Sequence, residues 1–327
     1  MTIFAVTDCS NDSQLRDFIN QASDGDTIIF ACSGTVTLTS QLLIKGKGQT
    51  KSGLTLDGNG EAVVVDGGKH LGVLLVEDMR LTLKGLMIAN GNAEQGGGLF
   101  NTGGEVTITN CTFCGNEATG SGGGISNKKG EVTISHCTFF GNSAQHGGGL
   151  LNEGRVSITN CTFCGNEARA WGGGLYNNSG GDATLSHCTF AHNTATIGGG
   201  WATGFPPIRV SATIVANNLA KFRWNNSEGA ISHLGFNLEG GAGGFSSMPT
   251  DQQTTDSILD PAGLQNHGGP TQTLSLQAGG PAIGAVTDTT LCPDTDQRGW
   301  LRPEGLTCCD IGAYQSSYLA PPAPPSP

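Results

Sequence analysis

Apolar and polar residues alternate in short bursts through the middle of the chain, and the bursts recur. Val106 and Ile108 alternate with Thr107 and Thr109, and the pattern returns at Val132/Ile134, Val156/Ile158 and Ala183/Leu185. A period of two predicts strands, and Val, Ile, Thr and Phe suit a pleated, half-buried surface. Each burst is followed by a Phe-x-x-Asn phrase, seen at Phe113/Asn116, Phe139/Asn142, Phe163/Asn166 and Phe190/Asn193. Glycine triplets then begin at Gly122, Gly147, Gly172 and Gly198, with an earlier one at Gly96. Successive triplets lie 25 or 26 residues apart. A fixed period of this kind signals a solenoid. Such a length accommodates three short strands and three turns, one coil of a parallel β-helix. Val106, Ile108 and Phe113 are expected to point inward, with equivalent residues stacked about 4.8 Å apart.

The punctuation fits the same geometry. Asn92, Asn116, Asn142, Asn166, Asn193 and Asn218 are expected to fall at one turn of successive coils, where Asn tolerates left-handed backbone and its amides bond along the axis. The glycine triplets are expected to make a tight corner. They are not nucleotide loops, because no strand–GxGxxG–helix unit or P-loop lysine accompanies them. Near the N-terminus, Leu15, Phe18, Ile19 and Ala22 have helical spacing, with Asp12 or Ser13 as N-cap. This predicts a helix capping the first coil. The expected organisation is a cap over residues 1–34, regular coils over 35–219, irregular coils and a C-terminal cap over 220–318, and a Pro-rich tail over 319–327.

Charge narrows the partners. The formal net charge is −11, only 13% of residues are charged, and no basic patch interleaves with aromatics. Nucleic acid and anionic membrane surfaces are poor partners for such a chain. No apolar run is long enough to insert into a bilayer. The chain starts at Met1 with no signal peptide, so either an export signal has been removed or the protein is cytosolic.

The 11 cysteines fall into two groups. Cys111, Cys137, Cys161 and Cys188 share one repeat position and are expected to form an inward ladder of small apolar side chains. Cys114 and Cys164 share another position two coils apart, beyond disulfide reach. A CxxC on one strand puts its thiols on opposite faces, so no metal site is expected. Among the terminal cysteines, Cys9–Cys32 and Cys292–Cys309 are predicted disulfides pinning the caps, which implies an oxidising compartment.

FxxN and GG[AG][IL] are the two signature tetrapeptides of chlamydial polymorphic outer-membrane protein repeats, carried here by Phe113 to Asn116 and Gly123-Gly-Ile125. The start of the chain resembles secreted bacterial β-helix proteins, through Leu15-Arg16 and the Asp24-Gly-Asp-Thr-Ile-Ile-Phe30 turn and strand. The end resembles the same group through Asn266-His-Gly-Gly-Pro-Thr271, Gly280-Pro-Ala-Ile283, Asp296-Gln-Arg-Gly299, Arg302-Pro303 and Cys309-Asp-Ile-Gly-Ala-Tyr314. These resemblances imply an all-β, single-stranded right-handed parallel β-helix, a pectin-lyase-like solenoid, secreted or displayed on a cell surface. They do not fix an activity, since this architecture hosts lyases, hydrolases and adhesins alike.

Lyases on such a scaffold need a base beside cation-binding carboxylates, and hydrolases need paired acids. The repeats supply few candidates. Glu117 and Glu167 are two coils apart, and Asp57 and Asp66 lie on different turns. Asp296 and Arg298 read as a buried ion pair or turn device of the cap, and His136 and His187 as polar turn fillers. The aromatic residues give a better surface. Gln95, Ser121, His146, Trp171 and Ile197 precede the triplets as one column, and Phe100, Ser126, Leu151, Tyr176 and Ala202 form a second. His146, Trp171 and Tyr176 could therefore make a shallow stacking platform for a glycan or a protein side chain. A third surface is the outward hydroxyl face of Thr107/Thr109, Thr133/Ser135, Ser157/Thr159 and Thr184/Ser186, a pattern used by ice-binding β-helices. The expected function is an adhesin-like structural and binding module without a cofactor. A polysaccharide lyase or glycoside hydrolase is the alternative, and ice binding a minor one.

Overall fold

A computed structural model describes residues 1–46, 53–223, 225–241, 249–255, 257–302 and 308–316. The Pro-rich tail, and Pro303 of the closing motif, lie outside the described residues. The chain winds as a parallel β-helix, as its period predicts, but the repeats carry four strands per coil rather than three. In the coil of residues 105–128 these are Glu105–Thr109 (sheet I), Thr112–Cys114 (sheet II), Glu117–Ser121 (sheet III) and Ile125–Lys128 (sheet IV). Among the described residues, stacking of coils yields sheets of 10, 10, 6 and 8 strands respectively. Sheet III starts only at Asn92–Gln95, so the preceding coil has three strands. It escaped the pattern because its inward row is only alanine, Ala93, Ala118, Ala144, Ala168 and Ala195, and its register is irregular.

Identical residues stack on identical residues along the core. The Phe113, Phe139, Phe163 and Phe190 rings lie 5.0, 4.4 and 4.5 Å apart and within 5° of parallel. Trp201 ends the stack edge-on, 5.2 Å from Phe190. All five side chains are fully buried. Such offset stacks add to the burial of their large apolar area.

The asparagine ladder runs inside, and the backbone assignment needs correction. Asn116, Asn142, Asn166 and Asn193 are 0% exposed. Each side chain accepts from the backbone N–H at the equivalent place one coil before, which is an Asn for all but Asn116, and donates its amide to a core carbonyl, as Asn142 Nδ2 does to Phe113 O at 2.9 Å. The left-handed residue is the one before each of them: Gly115, Gly141, Gly165, His192 and Asn217 have φ between 57 and 64°. Asn92 is out of register with the ladder, because it pairs with Glu117, and Gly91 takes the equivalent place. At the other end Asn226 extends the ladder by accepting from Asn218.

A second ladder was not anticipated. Asn101, Asn127, Asn152 and Asn177 are fully buried and bond amide to amide at 2.8–2.9 Å. The cysteine column is more polar than expected. Cys137 Sγ and Cys161 Sγ accept the backbone N–H one coil before, each at 3.4 Å, and Thr213, Asn237 and Asp251 continue that role toward the C-terminal end. Cysteine there is small enough for the core and still satisfies a buried amide.

Each triplet divides its labour. Its first glycine has φ between 59 and 66°. The other two face the next coil so closely that a Cβ on Gly123 would sit 2.5 Å from Gly148 O.

At the N-terminus, helix α1 (Ser13–Gln21) packs beside the first strands, and Cys9–Cys32 forms a disulfide. Asp12 occupies the N-cap position without capping the helix. Its buried carboxylate instead accepts from Thr39 N–H at 2.8 Å and Arg16 Nε at 2.6 Å.

The C-terminal segment does not lie over the end of the solenoid alone. Parallel pairing ends at Gln252–Thr254, and an antiparallel pair, Leu259–Gln265 with Thr273–Leu276, follows. Residues 271–302 and 308–313 then strap the outer face of sheet II. Gln297 bridges Thr138 and Thr162 at 2.8 and 2.6 Å, Arg302 reaches Asn160 at 3.2 Å, and Gly312 N–H donates to Ala212 O at 2.9 Å. Cys292–Cys309 forms a disulfide within this strap. Asp296 and Arg298 are a buried pair at 2.6 Å, with Arg298 also donating to Gln315 O and stacking on Tyr314 and Trp300. Cys164 is buried beneath the strap, although its face of the strand points out of the solenoid core.

Candidate binding surface

Constant register brings His146, Trp171 and Tyr176 together. Backbone pairing places Gln95, Ser121, His146, Trp171 and Ile197 in one column of sheet III. Phe100, Ser126, Leu151, Tyr176 and Ala202 form a column of sheet IV. The glycine triplet between them is a corner so tight that Trp171 and Tyr176, five positions apart in the chain, meet on the outside at 6.2 Å with planes 27° apart. His146, one coil earlier, lies 5.7 Å from Tyr176. Trp171 is 37% exposed.

Polar contacts hold the patch in place. Tyr176 O–H donates to Asn178 Oδ1 at 3.1 Å, and Asn178 Nδ2 donates to Glu153 Oε1 at 2.7 Å. Burial, with Glu153 nearby, pushes the Tyr176 phenol above its ordinary range, so it stays protonated and able to donate. Burial pulls the His146 imidazole below its usual value, so the ring is neutral at pH 7. The result is a ring surface with a fixed polar rim, suited to stacking rather than to ion pairing.

The other surfaces are less convergent. Glu117 and Glu167 are separated by Ser143 in register, and Arg169 lies 3.6 Å from Glu117. Asp57 and Asp66 cap their own turns, accepting from Asn59 N–H and Gly68 N–H. His136 and His187 are more than fillers. They sit at left-handed turns and face the strap, His136 Nε2 3.2 Å from Thr295 Oγ1 and His187 Nε2 3.5 Å from Cys309 Sγ. Sequence reasoning missed that role because their partners lie 159 and 122 residues away. The hydroxyl row of sheet I is longer than expected, running from Thr27 through Thr55, Thr82, Thr107, Thr133 and Ser157 to Thr184. The second row is broken at Asp57 and Lys84, and the strand starts beside it carry Arg80, Glu105, Glu131, Arg155 and Asp182. No described helix is long and apolar enough to cross a membrane.

Comparison with known proteins agrees with this architecture. The sequence family described as "right handed beta helix region" matches residues 40–233. Among solved structures, pectate lyase Pel9A aligns with 97% of this chain and 97% of its own at 13% identity and a TM-score of 0.56. A mutant of the PL6-family alginate lyase AlyGC aligns with 95% of this chain and 57% of its own, at 13% identity and a TM-score of 0.27. No curated protein sequence matches. At 13% identity the likeness to Pel9A concerns the fold alone, a parallel solenoid. By its family match and its coils, the chain belongs to the right-handed β-helix family.

Proposed function

We propose that this protein is an extracellular or surface-displayed β-helix that binds glycan through the ring patch of His146, Trp171 and Tyr176. The observation that carries the reading is the convergence of three rings at one solvent-facing corner, with Tyr176 fixed by Asn178 and Glu153. Two disulfides favour an oxidising compartment. The repeat signatures shared with surface-exposed chlamydial proteins support an adhesin-like role. Binding is favoured over cleavage because the acids nearest the patch are spread over separate coils, with Glu117 and Glu167 two coils apart.

The test is calorimetry against glycans selected from an array. Trp171→Ala with Tyr176→Ala should weaken binding at least tenfold, as loss of two ring contacts implies. Unchanged affinity in a double variant with the wild-type melting curve would remove the patch from the binding site. New unsaturated or reducing ends produced by the wild-type chain would replace binding with catalysis.

A further inference from the structure

The ring patch is one part of a longer track. Register carries the Trp171 column to Ile197 on the next coil and to Arg223 on the one after. Phe222, the residue before that last position, is 72% exposed, and Ile197 is partly exposed. In the other direction the column changes to Ser121 and Gln95, which offer no ring. Apolar and aromatic groups therefore run parallel to the solenoid axis from the coil of His146 to that of Phe222. With coils about 4.8 Å apart, three steps cover roughly 14 Å.

We infer, building on the binding role proposed above, that this track takes an extended, uncharged polysaccharide laid along the axis, one sugar for each coil. The pitch of the solenoid is close to the advance of one pyranose in an extended chain. Stacking on Trp171 and Tyr176 anchors one sugar, and Ile197 and Phe222 receive the apolar faces of those that follow. Charge selects against polyuronates. Glu153 adjoins Tyr176, and Glu117 and Glu167 line sheet III. The cations along the track lie away from the anchor or beside an acid: Arg169 is 3.6 Å from Glu117, the Lys221 ammonium sits 5.6 Å from the Phe222 ring centre, and Arg223 holds the last register position, two coils beyond Trp171. A ligand carrying a carboxylate on every sugar would meet acid at the anchor, on a chain of net charge −11. A neutral His146 offers no compensating charge.

The experiment is calorimetry on the full chain with neutral β-1,4-linked gluco- and xylo-oligosaccharides of increasing length, beside oligogalacturonates of the same lengths. Affinity for a neutral series should rise up to about four sugars and then level off, as the length of the track dictates. Phe222→Ala should weaken tetramer binding about fivefold and leave dimer binding unchanged. Trp171→Ala should weaken both. Oligogalacturonates binding as well as the neutral series, or no gain beyond the dimer, or tetramer binding indifferent to Phe222→Ala, would each overturn the axial neutral track. Any of these with Trp171→Ala still damaging would leave the ring patch standing. Failure of every glycan to bind would overturn both.

Discussion

Replacing Asn142 by alanine removes one rung from the middle of the buried ladder. Asn142 Oδ1 accepts from Asn116 N–H at 3.1 Å and from Asn116 Nδ2 at 3.0 Å. Its Nδ2 donates to Phe113 O and to Asn166 Oδ1, both at 2.9 Å. Its own backbone N–H still reaches Asn166 Oδ1 in the variant. The truncation therefore strands the Asn116 backbone N–H and one Asn116 amide hydrogen, and takes a donor from the Phe113 carbonyl, all inside the core. A buried unsatisfied group costs about 1–3 kcal/mol, and partial relaxation reduces the sum, so about 3–5 kcal/mol is expected. Asn92→Ala is the internal control. Asn92 is partly exposed and gives a single bond to Lys69 O at 3.1 Å, so it should cost less than about 1 kcal/mol. Urea unfolding followed by circular dichroism gives both values, with the slope of the transition checked for constancy. If the two substitutions agreed within about 0.5 kcal/mol, the ladder would not be the axial tie described here.

Other perturbations have equally definite outcomes. Gly123→Ala should prevent correct coil stacking and give aggregated or unfolded chain, whereas Gly141→Ala, with open space around it, should cost only about 1 kcal/mol for left-handed backbone; soluble yield and melting temperature distinguish them. Asp296→Ala should cost about 3–5 kcal/mol by removing the carboxylate that balances the buried Arg298 charge, and hydrogen exchange should rise first in the strands beneath the strap. Burial raises the Cys164 thiol from 9.0 to about 11 and Cys188 from 9.0 to about 12, so the folded chain keeps protons that the unfolded chain releases. Their stabilisation is complete below pH 9 and lost as pH rises from 9 toward 12; the urea midpoint should fall over that window, and Cys188→Ala should flatten the slope. Burial holds His187 well below 6.5, so its contribution is present above pH 6.5 and declines as pH falls below it; exchange in the strap should accelerate on acidification.

What could be read from the chain depended on repetition. Phe139 and Asn142 recur at a fixed interval, so their stacking and burial followed from the period alone. The columns of His146, Trp171 and Tyr176 were legible for the same reason, because a register that never slips turns sequence alignment into spatial adjacency. Sheet III was invisible because Ala118 and its equivalents are too small to announce an inward row. The Asn101 to Asn177 ladder was missed because no constant residue marks its phrase as Phe marks the other: Phe100, Ser126, Leu151 and Tyr176 precede its four members. The strap was misplaced because its anchors are single, non-periodic contacts: Gln297 meets Thr162, and Arg302 meets Asn160, 135 and 142 residues away. Hydrophobic period reports what repeats, and a strap that crosses the coils once leaves no period.

The binding role of the ring patch is tested most directly by a crystal structure of the full chain soaked with a neutral oligosaccharide. Ordered sugar density should lie over Trp171 and Tyr176 and extend along the axis toward Ile197. Density confined to another face of the solenoid, with the His146, Trp171 and Tyr176 rings bare in crystals that leave them accessible, would contradict it.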